Sequence, residues 1–283
     1  MKKSEERIFY QGYTAFGKDL IEDLPMILID THAHMGDVVF DTDRGDVLKR
    51  ARNAGLAAVV SVSEDISDAE RSLKIGKLHP MLLPAAGLHP SNIEIDQAES
   101  LISFIRREQE KLWAIGEVGL DYWIAKGERE RCRQRDIFLK FIDFSIELDL
   151  PLNVHSRSAG RHVVNMLLER GAKKVQLHAF DGKASSALPA VEAGFFFSIP
   201  PSVVRSPQKQ KLVRALPLSC LLIETDSPVL GPSREERNEP ANALMSVTAI
   251  AELKNLSREY VLEAVSQNSQ KLYVKIGNLP LLE

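Results

Sequence analysis

The sequence predicts a (β/α)8 barrel of the TIM type, and three observations lead there. Short apolar, β-branched runs alternate with longer amphipathic stretches from Met26 onward, eight of each. The alternation occupies roughly 250 residues, the usual length of such a barrel. Residues of metal-ligand type fall at corresponding strand ends, on the carboxyl face where barrel enzymes build their sites. A doubly wound open sheet is the main competing arrangement.

The first strand, 27–31, runs into Ile29-Asp30-Thr31-His32-Ala33-His34. Side chains alternate faces in an extended chain, so His32 and His34 point the same way, where two imidazoles could share one ion. Taken alone, the pair reads equally well as hydrogen-bonded histidines at a strand end. Helix 43–54, strand 57–63 and helix 67–79 follow. Strand 81–87 leads to His89, and helix 98–110 precedes strand 113–118, which carries Glu117. After helix 128–148, strand 152–155 ends in His155. After helix 161–170, strand 175–178 ends in His178. Helix 185–193, strand 195–199 and helix 207–216 lead to strand 221–225, which delivers Asp226, and helix 242–253 closes the alternation. Residues 257–276 read as one more amphipathic helix, with Ser257 as N-cap and Glu259 and Glu263 early in the pattern. Residues 26–283 are expected to form a single domain; residues 1–25 are an extension, a packed arm or a misassigned start.

Composition narrows the function classes. With 283 residues, 44% hydrophobic and 27% charged, the chain can bury a core unaided. A formal net charge of -3 gives no global field for polyanions, which counts against a protein that coats nucleic acid. Cys132 and Cys220 form no CxxC pattern and read as reduced thiols. No apolar run suits a signal peptide or a membrane span, so the expectation is a soluble, cytoplasmic protein, with a monomer favoured.

His32, His34, Glu117, His155, His178 and Asp226 exceed the needs of one ion. A catalytic zinc commonly takes three protein ligands, whereas six ligands with a bridging carboxylate suit two ions. The expected partition gives His32, His34 and Asp226 to one ion and His155 and His178 to the other, with Glu117 as bridge. The imidazole-rich set favours zinc, manganese, cobalt or nickel over a site built for magnesium alone.

The residues also resemble the TatD group of metal-dependent hydrolases, among the amidohydrolase-like barrels. The motifs, in order, are Asp30-Thr31-His32-Ala33-His34, Gly87-Leu88-His89-Pro90, Gly116-Glu117-Val118-Gly119-Leu120-Asp121-Tyr122, His155-Ser156-Arg157, His178-Ala179-Phe180-Asp181-Gly182, Glu224-Thr225-Asp226-Ser227-Pro228 and Arg237-Asn238-Glu239-Pro240. Within the group, the run from Asn153 to Arg161 and the run Phe196-Phe197-Ser198-Ile199-Pro200-Pro201-Ser202 are similar to the branch of TatD DNase domain-containing protein 3. The resemblance implies a divalent-metal-dependent deoxyribonuclease, in some members a 3′-to-5′ exonuclease, with ligands at the six positions above. His89-Pro90-Ser91-Asn92 stands where many members have His-Pro-His-Glu, and His178-Ala179-Phe180-Asp181-Gly182 where many have His-Cys-Phe-Ser-Gly.

A mechanism follows from charge. Two cations sharing an oxygen lower the pKa of bound water from 15.7 toward about 7 and offset charge on phosphoryl oxygens. Asp226 is the candidate proton acceptor, and otherwise a ligand only. His89 is expected to bind phosphate or donate a proton. Arg157, with Arg205 and Lys209 in the loop after strand seven, are candidate contacts to a DNA backbone, or else solvated surface cations. Glu239 is a candidate to orient a histidine ligand from outside. Three classes stay open: a phosphodiesterase acting on DNA, an amide or ester hydrolase on the same barrel, and a non-catalytic metal-binding protein.

Overall fold

The computed structural model describes residues 26–278; the sequence expectation for residues 1–25 lies outside the described residues. Its strands are β1 (Ile29–Ala33), β2 (Ala58–Ser61), β3 (Leu82–Ala86), β4 (Ala114–Gly119), β5 (Leu152–His155), β6 (Val175–Leu177), β7 (Phe196–Ile199) and β8 (Leu221–Ile223). They pair in parallel in sequence order, as expected of a TIM barrel. The helices are α1 (Arg44–Asn53), α2 (Ile66–Leu78), α3 (Ile95–Glu108), α4 (Glu128–Leu148), α5 (Gly160–Glu169), α6 (Ala184–Glu192), α7 (Pro207–Ala215), α8 (Ala243–Lys254) and α9 (Arg258–Leu272). Their apolar faces, such as Val47, Leu48 and Ala51 of α1 and Phe138, Phe141 and Ile142 of α4, pack on the outside of the strands.

The seam between β8 and β1 closes through the residues that carry the site. The Asp226 N–H donates to the His32 carbonyl at 2.8 Å and the His34 N–H to the Ser227 carbonyl at 2.7 Å. The Thr31 hydroxyl donates to the Ile223 carbonyl at 2.8 Å. β8 stops two residues short of the expected strand because the Asp30 carboxylate takes the Thr225 N–H at 2.9 Å, drawing that residue out of the ladder. β1 starts two residues later than expected for a similar reason. Ser266 of α9 accepts from the Ile27 N–H at 2.9 Å and donates to its carbonyl at 3.0 Å, leaving that backbone nothing to share with β2.

The other end of the barrel is plugged. Leu272, Tyr273 and Ile276 pack against Ile29, Val60 and Leu222, each buried side chain contributing ~1.5–3 kcal/mol. The expected tail helix therefore breaks at Leu272, so that the chain can turn beneath the strands. The Tyr273 hydroxyl donates to Gln176 Oε1 at 2.6 Å, and Gln176 Nε2 donates to Thr31 Oγ1 at 3.0 Å. A satisfied polar layer thus lies inside the barrel, between the apolar plug and the histidines.

Candidate metal centre

Each ligand-type residue leaves the barrel at its carboxyl end. His32 is inside β1 and His34 one residue beyond it; Glu117 is in β4, His155 ends β5, and His178 follows β6 directly. Asp226 lies three residues past β8 with φ at +56°. Gly119 permits a close approach of β4 and β5: a Cβ there would lie 2.1 Å from the His155 carbonyl oxygen, and its φ of +146° suits only glycine. Glu117 and His155 meet as a result.

Two sets of donors share Glu117. On one side, His32 Nε2 and His34 Nε2 are 3.4 Å apart, and each is 3.3 Å from Asp226 Oδ1. Ligands held at 2.0–2.2 Å around a tetrahedral ion are themselves about 3.4 Å apart, so this triangle has the spacing of one coordination face. Glu117 Oε2 lies 3.4 Å from His34 Nε2 and 3.7 Å from His32 Nε2. On the other side, Glu117 Oε1 lies 2.5 Å from His155 Nδ1 and 3.2 Å from His178 Nε2. The 2.5 Å contact is a hydrogen bond, shorter than a ligand–ligand edge, so this half is joined by a proton where the first is spaced for a cation. His32, His34 and Asp226 fit a divalent ion in type and spacing, and Glu117 and His178 with His32 form a second group of ligand type; His155 fits by residue type, with its ring nitrogens turned to Glu117 and Asp121.

The electrostatics agree. Burial opposes charge on Glu117, yet His155 and His178 hold its carboxyl well below the usual carboxylate range. Burial likewise opposes charge on Asp226, and His178, His32 and His34 hold it ionised. The cost falls on the imidazoles. His34 is buried, which disfavours its cation, but the hydrogen bond to Asp226 and the charges of Glu117, Asp226 and Glu64 raise it to about 9. His155 and His178 are raised for the same kind of reason. Protons occupy positions that the carboxylates make favourable for any cation.

Four supporting residues escaped the sequence reading. Asn153 Oδ1 lies 2.8 Å from His32 Nδ1, turning Nε2 toward the carboxylates. Glu224 accepts from the Ala179 N–H at 2.8 Å and the Ser198 hydroxyl at 2.6 Å, and its Oε2 is 3.4 Å from the buried His178 Nδ1. Asp121 Oδ2 is 3.1 Å from His155 Nε2. Glu64 reaches to 3.7 Å from His34 Nδ1. Asn153 stands two residues before His155 on the same face of β5, a strand spacing that could have found it; Glu224 stands two residues before Asp226, just past the end of β8.

The donors open on a cavity of about 470 Å³, which His89, Arg157 and Lys209 also line. His89 packs edge-on to His155, with ring centres 4.8 Å apart, and the Ser91 N–H donates to its Nδ1 at 3.1 Å, which leaves the proton on Nε2. Burial lowers its pKa to about 4, so the neutral ring offers a hydrogen bond and is no reservoir of acid at neutral pH. Lys209 stands in the first turn of α7, not in a loop, and its ammonium donates to the Ala179 carbonyl at 3.0 Å; burial lowers its pKa. Arg205 is exposed on a short 3-10 turn, donates to the Gly231 carbonyl at 3.2 Å and does not line the cavity.

Glu239 does not reach a histidine. It takes the Arg50 guanidinium on two atoms, at 2.9 and 2.6 Å. Neighbouring Arg237 pairs with Asp43, and the Asn238 amide donates to the Thr225 and Val229 carbonyls, each at 2.7 Å. This motif fastens the loop after β8 onto α1 across the seam, which holds Glu239 outside the barrel.

Comparison with known proteins gives a consistent picture. The sequence model of the family described as TatD related DNase matches residues 29–274. The human protein named deoxyribonuclease TATDN3 is 42% identical over 265 residues, covering 89% of this chain and 96% of that protein. A Bacillus subtilis protein named as an uncharacterized metal-dependent hydrolase, YabD, is 32% identical over 255 residues, covering 87% and 99%. Among solved structures, the TatD homolog YJJV of Escherichia coli superposes with a TM-score of 0.81 at 25% identity, covering 89% of this chain and 98% of that one.

Proposed function

The chain belongs to the TatD-related DNase family of metal-dependent hydrolases, and from that premise we propose that it is a two-metal deoxyribonuclease trimming single-stranded ends from the 3′ side. One observation carries the reading: Glu117 turns Oε2 to His34 and His32 and Oε1 to His155 and His178, the posture of a carboxylate that bridges two ions. His32, His34 and Asp226 would hold one ion, His155 and His178 the other. Bound there, divalent ions would make water acidic enough to supply the nucleophile and would offset charge on the phosphoryl oxygens.

The chain's own residues do the rest. Asp226, ionised and facing the cavity, accepts the proton of the attacking water. His89 donates a hydrogen bond from Nε2 to a phosphate oxygen, and Lys209 and Arg157 offset the negative charge of the backbone. Those cations favour an anionic phosphodiester over the neutral amide or ester that the barrel alone would equally allow.

Among the described residues no helix is long and apolar enough to cross a membrane, and Cys132 and Cys220 are free thiols.

The test is a time course on end-labelled single-stranded, blunt duplex and covalently closed circular DNA, with zinc, manganese, magnesium, cobalt and nickel each supplied. A ladder of shortening products on the linear single strand, with the circle spared, is expected. Rapid cutting of the circle would overturn the exonuclease assignment; inertness of all three under every metal would overturn the nuclease reading.

A further inference from the structure

Trp123 is 57% exposed in the loop between β4 and α4. Its backbone is nonetheless firmly held. Asp121 Oδ1 accepts from the Trp123 N–H at 2.8 Å and the Ile124 N–H at 2.9 Å, while Oδ2 of the same carboxylate lies 3.1 Å from His155 Nε2. One side chain therefore registers the indole loop against a metal donor. The Tyr122 N–H donates to the Arg157 carbonyl at 2.9 Å, tying this loop to the one after β5.

Two cations attend the ring. The Arg157 guanidinium is 5.1 Å from the ring centre and the Lys126 ammonium 4.7 Å. Arg44, Arg50, Arg135 and Arg237 are each neutralised by a carboxylate. Among the described residues no carboxylate pairs with Arg157 or Lys126. Arg157 also lines the cavity of the metal donors, so charge and aromatic surface run continuously out of it.

We propose that Trp123, with Arg157 and Lys126, is a stacking subsite for one unpaired base of the strand whose phosphodiester lies at the metal donors. The proposal rests on the nuclease reading and adds how the strand is gripped. A base on the indole displaces a cation from the ring face, and that cation turns to the flanking phosphate. Every base has a π-face, so the grip tolerates sequence. A base inside a duplex has both faces covered by its neighbours, so the grip selects single strands.

The experiment measures steady-state degradation of a single-stranded oligonucleotide, and binding of its phosphorothioate analogue to the metal-loaded enzyme, for wild type, Trp123→Ala, Trp123→Phe and Lys126→Ala. Trp123→Ala is expected to raise KM and weaken binding about tenfold, the size of one lost base stack, with kcat within about twofold. Trp123→Phe is expected to stay within about threefold of wild type throughout, and Lys126→Ala to raise KM about two- to fourfold. A KM for Trp123→Ala within twofold of a wild type that degrades the strand overturns the subsite and leaves the nuclease reading intact. A wild type that neither binds nor degrades the strand overturns both, which the wild-type measurement reveals by itself. Lys126 is an exposed side chain, so its variant keeps the test open if the Trp123→Ala protein does not fold: an unchanged KM there overturns the subsite.

Discussion

His32 donates its Nδ1 proton to Asn153 Oδ1 across 2.8 Å, and the Asn153 amide nitrogen is itself committed to the Thr31 carbonyl at 3.0 Å. The second contact fixes which end of the amide faces the imidazole, and so which tautomer His32 adopts.

Replacing Asn153 by Ala should weaken metal binding by about 10- to 100-fold, the usual effect of removing such a partner. A competition titration against a chelating dye checks it. Unchanged affinity in a folded variant would remove Asn153 from the site's support.

His32→Ala and His155→Ala should lose different ions, because Glu117 presents a different oxygen to each. Metal analysis of the purified variants is expected to give about one equivalent each, against about two for wild type. Untouched stoichiometry in both would end the partition into two shells.

Asp226→Asn should fold normally by circular dichroism and lose turnover by about 10²–10⁴-fold, since it takes away both a base and a charged ligand. Wild-type rates in a folded preparation would exclude Asp226 as the proton acceptor.

Metal binding should release protons. His34 carries a pKa raised to about 9 through Asp226, Glu117 and Glu64 despite its burial, so at pH 7 a cation must displace its proton. Apparent affinity for the ion held by His32, His34 and Asp226 should climb about tenfold per pH unit from 7 toward 9 and then level off. Calorimetry in two buffers of different ionisation enthalpy reads the released proton directly. In metal-free protein the sign is opposite: the stability this proton contributes is complete below about pH 6.5 and disappears as pH rises through about 9. A flat affinity profile would refute the exchange of proton for cation.

The barrel, and the gathering of His32, His34, Glu117, His155, His178 and Asp226 at one end of it, were legible because both are periodic facts: strands alternate with helices, and these residues fall where a strand runs out. Strand ends were read less well, for a physical reason. Ser266 captures the backbone of Ile27 and Asp30 captures that of Thr225, contacts 239 and 195 residues apart in sequence. No local propensity encodes them. Glu239 was misplaced because its partner, Arg50, lies 189 residues away. Asn153 and Glu224 were missed though their spacing was in plain view, since a polar residue two positions before a ligand carries no chemistry until the barrel interior is built. Asp121 is a loop carboxylate whose partner, His155, is defined only once β4 and β5 are side by side.

The hydrogen bonds that join Asp226 to His32 and Ser227 to His34 give the protein a particular order of assembly. The triangle of His32, His34 and Asp226 draws its members from the end of the first strand and from beyond the eighth, so it cannot exist while the chain is still emerging during synthesis. Such long-range closure comes late and slowly. A nascent barrel is therefore catalytically silent until its last strand meets its first, and hydrolytic competence arrives in the same event as the completed ring.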